Sequence, residues 1–198
     1  MIDKVIALLK EINTPFKLFA AVTLLIVVGL GFFVYQNEQK IWQFFTHSGH
    51  YRLIQIDKLQ YEALRLIDDV EAEAIAVHKG DVQSNERETV LAMDKNENRN
   101  KKIEGLKTSL FNSGLNNRNE ANIMMLRGEV FCADFKSSSK VGKWMDSMNV
   151  KYMCRASLPP QAGHFHGYVA VGFKSKPADL LSVKGRIILG TSNMVENK

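Results

Sequence analysis

The chain has 198 residues, 45% of them hydrophobic, and a formal net charge of +5. That is ordinary globular composition, long enough for one medium domain or for one domain and an anchor, and it excludes a string of domains. The basic excess lies scattered at Lys95, Arg99, Lys101, Lys102 and Lys107. It is no nucleic-acid signature, and an anionic membrane surface is the better match for it.

The chain opens with Ile2, Val5, Ile6, Leu8, Leu9 and Ile12, most of them on one helical face, and with Asp3, Lys4, Lys10 and Glu11 largely on the other. Pro15 ends the pattern. Residues 1–17 read equally well as an amphipathic helix in a membrane interface and as a frayed tail, because so short a helix is marginal in water.

Between Lys17 and Glu38 no side chain is charged. The unbroken apolar run Leu18–Tyr35 would be about 27 Å long as a helix, close to the thickness of a bilayer core. No polar stripe interrupts it, so no face calls for water. Phe32, Phe33, Tyr35 and Trp42 gather at its exit, where rings favour the headgroup level. No small-residue cleavage pattern follows it. Residues 18–36 therefore read as one retained transmembrane helix. Lys4, Lys10 and Lys17 before the run outnumber Lys40 and Arg52 after it, which favours a cytoplasmic N-terminus. The expected site is an inner membrane, crossed once, with residues 37–198 in the periplasm.

The outer segment begins with helical character. Leu53, Ile56, Leu59, Leu64 and Ile67 recur at near-helical spacing, predicting a long helix near 50–70, with a break at Ser48-Gly49 as the alternative. "AEAIAVHKGD" and "RETVLAMDK" read as strands joined by a hairpin over the turn formers between Gly80 and Glu86. The polar stretch 96–122 reads as a surface insert with a short helix around Lys102–Phe111. "GEVFCADF" reads as a third strand and "SSSKVGKWMDSMN" as a helix capped by Ser138 or Ser139. "VKYMCRASLPP" and "FHGYVAVGFK" are the fourth and fifth strands, and a last helix begins near Pro177. The sum is an α/β domain, its sheet and helices over 73–190, with a largely antiparallel five-stranded sheet covered on one face by helices.

Cys132 and Cys154 each fall in a predicted strand, and the helix between those strands makes them neighbours. Outside the cytoplasm this favours a disulfide over two buried thiols, and closing that loop would be worth about 3 kcal/mol. Their spacing is not that of a zinc site. His164 and His166, and separately His47 and His50, are spaced to chelate, but a loop at a strand mouth and a membrane-proximal position explain them more simply. Asp68, Asp69, Glu71 and Glu73 read as a solvated acidic helix end. No phosphate loop, nucleophile elbow or zincin motif is present, so the sequence offers no catalytic, metal or cofactor residues.

The run "VTLLIVVGLGFFVYQNEQKIWQFF" resembles the span of the single-span holins of the T-even phage type, and "VKYMCRASLPP…GHFHGYVAVGF" is similar to their C-terminal Cys-containing strands. The same late strands also resemble those of a GAF or PAS-like sensor fold. The first resemblance implies a protein that oligomerises in the inner membrane and opens lesions that release endolysin for host lysis. Its partners would be lipid, further copies of the chain, and an antiholin on the periplasmic domain. Ala20, Ala21, Gly29 and Gly31 would give the span a slender face for packing between helices. The rival reading is a membrane-anchored periplasmic sensor or partner-binding module without catalysis, and an envelope assembly factor shares its topology.

Overall fold

The structure, a computed structural model, describes residues 22–23, 26–29, 51–111, 117–137 and 139–197. The chain divides into two units, Met1–Thr46 and His47–Lys198. In the first, residues 22–23 and 26–29 are helical, and Val22, Ile26, Val27 and Val28 are exposed. A Cβ added at Gly29 would meet nothing within 4 Å. Among the described residues no helix is long and apolar enough to cross a membrane. The tail 1–17, most of the run 18–36 with Ala20, Ala21 and Gly31, and both His47 and His50 lie outside the described residues.

The second unit starts with strand β1 (Tyr51–Leu53) and helix α1 (Ile56–Val70). Leu59, Ala63, Leu66, Ile67 and Val70 repeat at the helical period and form its buried face. The helix stops at Glu71, which takes a left-handed conformation (φ 56°). There the Glu71 N–H reaches the Asp68 carbonyl and the Ala72 N–H the Ile67 carbonyl, a Schellman closure made without glycine. Strands β2 (Ala74–Asp81) and β3 (Glu86–Asp94) form the expected hairpin.

The described residues of the predicted insert, 96–111 and 117–122, are folded. Asp94 closes a turn by accepting from the backbone N–H groups of Asn96 and Asn98, and Arg99 makes a two-pronged ion pair with Glu104. Strand β4 (Lys107–Ser109) then pairs with β3, so the helix expected around Lys102–Phe111 is instead a turn and a strand. Helix α2 (Asn117–Leu126) follows. Next come β5 (Phe131–Asp134), α3 (Lys140–Ser147), β6 (Tyr152–Leu158), β7 (Gly167–Phe173), α4 (Leu180–Asn193) and β8 (Val195–Asn197). Ser139 caps α3 by accepting from the Gly142 N–H at 3.0 Å. Asp179 caps α4, so Pro177 lies ahead of the cap and not in the first turn.

Among the described residues the main sheet has six strands, where five were expected, in the order β4-β3-β2-β7-β6-β5, with every neighbouring pair antiparallel. A second sheet pairs β1 with β8 and ties the two ends of the unit together, with an Arg52–Glu196 ion pair across it. Helices cover both faces of the main sheet, where one covered face was expected. On the first face α1 and α4 enclose Ile75, Val77, Leu91, Met93, Cys154, Val169 and Val171. On the second, Met125 of α2 and Met145 of α3 pack over Ala74, Ala76, Met153, Tyr168 and Ala170. Cys132 and Cys154 stand directly opposite each other on β5 and β6 and are joined as a disulfide, as their strand positions led us to expect.

Candidate functional site

The second face of the sheet carries the chemistry. His78 shares that face with Ala74 and Ala76 by the alternation of β2, and a β-bulge in β3, where Val90 is skipped opposite Val77 and His78, brings Thr89 and Arg87 onto it. The strand registers then set Thr89, His78, Tyr168 and Ser157 side by side across β3, β2, β7 and β6. This is a polar rung inside the protein, with His78 4% and Tyr168 2% exposed. The next rung toward the core is Ala92, Ala76, Ala170 and Arg155. Three alanines in a row leave room above them for Met125 and Met145, and Arg155 ends the rung at the cleft.

The roof comes from the β5–α3 connection and from α3: Phe135, Ser137, Ser139, Val141, Gly142 and Met145. Ser137 and Ser139 share a hydrogen bond at 3.0 Å. A Cβ at Gly142 would lie 2.1 Å from the Ser137 hydroxyl, so only glycine lets that hydroxyl close on the start of the helix. The resulting half-open cleft offers about 30 Å³ to the centre of a water-sized sphere. That is room for a very few waters or one small polar group.

The cleft is electropositive. Arg87 is 9% exposed, its Nε donating to the Thr108 hydroxyl at 2.7 Å and its Nη1 to the Tyr168 hydroxyl. Its guanidinium sits 5.9 Å from the centre of the Tyr168 ring. His78 stacks on the other part of that ring, centroids 4.5 Å apart, and its Nδ1 lies 3.1 Å from the Thr89 hydroxyl. Burial, and then the nearby charges of Arg87 and Arg155, hold the His78 pKa well below the ordinary imidazole value. The ring is therefore neutral at physiological pH. No acidic residue lines the cleft among the described residues.

At the strand mouth, Gly167 is the pivot. Its φ is +155°, and a Cβ there would fall 1.9 Å from the His78 carbonyl oxygen. Any side chain at Gly167 would push β7 off β2 beside the polar rung.

The sequence-stated candidates fall elsewhere. His164 packs edge-on against Tyr51 at 5.5 Å, and His166 lies tilted to the same ring at 6.2 Å. The two imidazoles thus flank a tyrosine, and among the described residues no group of ligands is placed to hold a metal ion. The acidic helix end is a network of ion pairs, with Glu73 bridging Lys95 and Lys174 and Asp69 near Arg65, as a solvated face should be. It borders an open depression between α1, β7 and α4 whose charges of both signs are exposed or paired. The cleft residues His78, Arg87, Arg155 and Tyr168 carry no sequence motif. One signal was available: a histidine and an arginine on strands otherwise filled by Ala, Ile, Val, Leu and Met.

The main sheet has β2 and β7 at its centre, the β2–β3 hairpin on one side and β6 and β5 on the other, with helices on both faces, an arrangement similar to that of GAF domains among solved structures. No family model and no curated protein matches the chain. Among solved structures, the chromophore-binding domain of Stigmatella aurantiaca bacteriophytochrome is similar at 9% identity and a TM-score of 0.47, covering 68% of this chain and 51% of that one. A phycocyanobilin-bound GAF domain from a cyanobacterial phytochrome is similar at 13% identity and a TM-score of 0.40, covering 71% and 92%. An IcIR transcriptional regulator from Alicyclobacillus acidocaldarius is similar at 6% identity and a TM-score of 0.39, covering 70% and 65%. The chain spans about half the length of the bacteriophytochrome fragment. Likenesses this distant carry no argument about ligand or activity.

Proposed function

We propose that residues 47–198 form a non-catalytic recognition module, held at the outer surface of a membrane by the apolar run 18–36, that binds a small ligand or a partner. The observation that carries this reading is the electropositive cleft under α3, on the sheet face opposite the larger apolar core. A polar rung in a core costs stability unless its groups are hydrogen-bonded, and here it lies beside an open cleft where a ligand can meet it. The disulfide on β5 and β6 fits an oxidising compartment, and the uncharged run fits an anchor.

Topology tests the reading. A cysteine at Gln83, in the exposed β2–β3 turn, should react with a membrane-impermeant maleimide in intact spheroplasts. Reaction only after permeabilisation would place the module on the inner side and overturn it.

A second reading is favoured by the coincidence of that run with the paired strands β6 and β7 that carry the holin-like residues. In it the chain is a holin, its copies assemble through lipid-embedded helices, and the outer domain receives an antiholin. Expression alone should then collapse the membrane potential after a lag. Val27→Asp should abolish the collapse, since a charge in mid-bilayer costs about 2.5–3.5 kcal/mol on insertion scales. Continued growth with inserted wild-type protein would remove the holin reading and leave the recognition module.

A further inference from the structure

We propose that the cleft under α3 is a binding site for a small oxyanion, a carboxylate, sulfate or phosphate group gripped between Arg87 and Arg155 and met by the hydroxyls of Ser137 and Ser139. This rests on the reading of the domain as a recognition module and names the chemistry of its ligand.

Arg87 makes the argument. It is nine-tenths buried, and buried cations are paired in folded proteins, because an uncompensated charge costs several kcal/mol, on the order of what a whole domain can spare. Yet Arg87 forms no ion pair among the described residues. Of its five donors, Thr108 and Tyr168 take two, and the others meet no acceptor among the described residues. Both partners are neutral hydroxyls. They fix the orientation of the guanidinium without neutralising it, which is the arrangement of a preorganised receptor for an anion.

The surroundings repeat the message. Arg155 reaches into the same cleft from β6, so two positive charges converge where like charges repel. His78 lines the same cleft from the sheet, and Tyr168 serves both as its stacking partner and as an acceptor for Arg87. Ser137 and Ser139 add hydroxyls from the roof. Met145, Met153 and Ala170 keep the rest apolar, which lowers the local dielectric and strengthens a charge-assisted hydrogen bond.

Size narrows the ligand. Space of about 30 Å³ admits a single oxyanion group and cannot enclose a whole nucleotide or tetrapyrrole, since pockets for drug-sized ligands run to about 300–1,000 Å³. The ligand is therefore a small free anion, or a small molecule that inserts one anionic group and leaves its remainder outside.

The experiment is thermal unfolding of the full chain in detergent, disulfide intact, titrated with sodium phosphate, sulfate or acetate against sodium chloride at constant ionic strength. A ligand that binds only the folded state raises the midpoint saturably. Phosphate, sulfate or acetate should do so where chloride does not. Preference for the tetrahedral ions would name a phosphate or sulfate group, and preference for acetate a carboxylate. Arg155→Gln, at a half-exposed position, should stay folded and weaken the response at least tenfold, whereas Lys58→Gln, at an exposed position of α1, should leave it unchanged. Phosphorus NMR line-broadening of inorganic phosphate, lost in Arg155→Gln, gives a second readout independent of stability. An equal shift in chloride, or an oxyanion response that survives Arg155→Gln, would overturn the proposal. Either result leaves the maleimide topology test standing, and failure of that test leaves oxyanion binding standing.

Discussion

The two faces of the main sheet are built from the same strands and do opposite things. Toward α1 and α4, β2 presents Ile75 and Val77, β3 presents Leu91 and Met93, and β7 presents Val169 and Val171. These are branched or long side chains that fill space and hold nothing polar. Toward α2 and α3, the same strands present Ala74, Ala76 and His78, Arg87 and Thr89, and Tyr168 and Ala170. Small residues there leave a hollow, and polar ones line it. Side chains alternate along β2 and β7, and the bulge in β3 moves Arg87 and Thr89 to the face opposite Leu91 and Met93, so one backbone carries both programmes without conflict. One face secures the fold, and the other is free to be a site.

The sharpest way to break this contrast is a truncation on the apolar face. Leu66 is 1% exposed and sits between α1 and α4 over the sheet. Leu66→Ala should cost about 2–5 kcal/mol, read as a lowered midpoint in urea, while the oxyanion response of the surviving folded protein keeps its affinity. A loss of affinity as large as the loss of stability would show that the two faces are not separable.

Next in size is the disulfide. It closes a loop that contains the whole roof of the cleft, from β5 through α3 to β6. Replacing both Cys132 and Cys154 by Ala should cost about 3 kcal/mol in the chain-entropy model. It should also weaken oxyanion binding, since the roof then loses its tether to the edge of the sheet. Unchanged binding in the double variant would mean that α3 is held by packing alone.

Much of the apolar face was legible in the sequence. The helical repeat of α1, the alternation in β2 and β7, and the cysteine-bearing strands all follow from side-chain period and burial, which are local properties. β1 and β8 were not legible, because each is three residues long and their pairing spans the whole unit. Nor was β4, whose "KTS" is polar throughout and is a strand only because β3 offers it an edge. The site was least legible of all. It is assembled by register: His78 meets Thr89 and Tyr168 only through the pairing of three strands and a bulge, and Arg87 reaches Tyr168 across an intervening strand. None of those distances is written in spacing along the chain.

A pH titration sharpens the polar face. His78 has a pKa lowered by burial and then by Arg87 and Arg155, with Tyr168 stacked on it as the other titratable group in contact. A lowered histidine pKa means that the unfolded chain takes up a proton before the folded one does. Its contribution to stability is full above the unfolded value near 6.5 and is lost as pH falls below it. The wild type should therefore lose up to about 1.4 kcal/mol per pH unit below about 6.5 from this one group. His78→Gln should flatten that part of the profile relative to the wild type. Parallel profiles for the two proteins would show that His78 is not held neutral.

The smallest expected effect concerns Ser157, the last member of the polar rung. Its hydroxyl is buried and has no hydrogen-bond partner among the described residues, although it stands opposite Tyr168. The Tyr168 hydroxyl is engaged by Arg87, further along the same face. A buried hydroxyl without a partner carries its desolvation penalty uncompensated, about 1–3 kcal/mol, and Ala fills nearly the same space. Ser157→Ala should thus be neutral or stabilising by up to about 1 kcal/mol in urea denaturation, a sign opposite to that of most core truncations. If the hydroxyl instead donates to an anion in the cleft, the stabilised variant will also bind phosphate more weakly than the wild type does. Destabilisation by Ser157→Ala without added anion would mean that the rung is a hydrogen-bonded structural element, and the contrast between the two faces of the sheet would have to be redrawn.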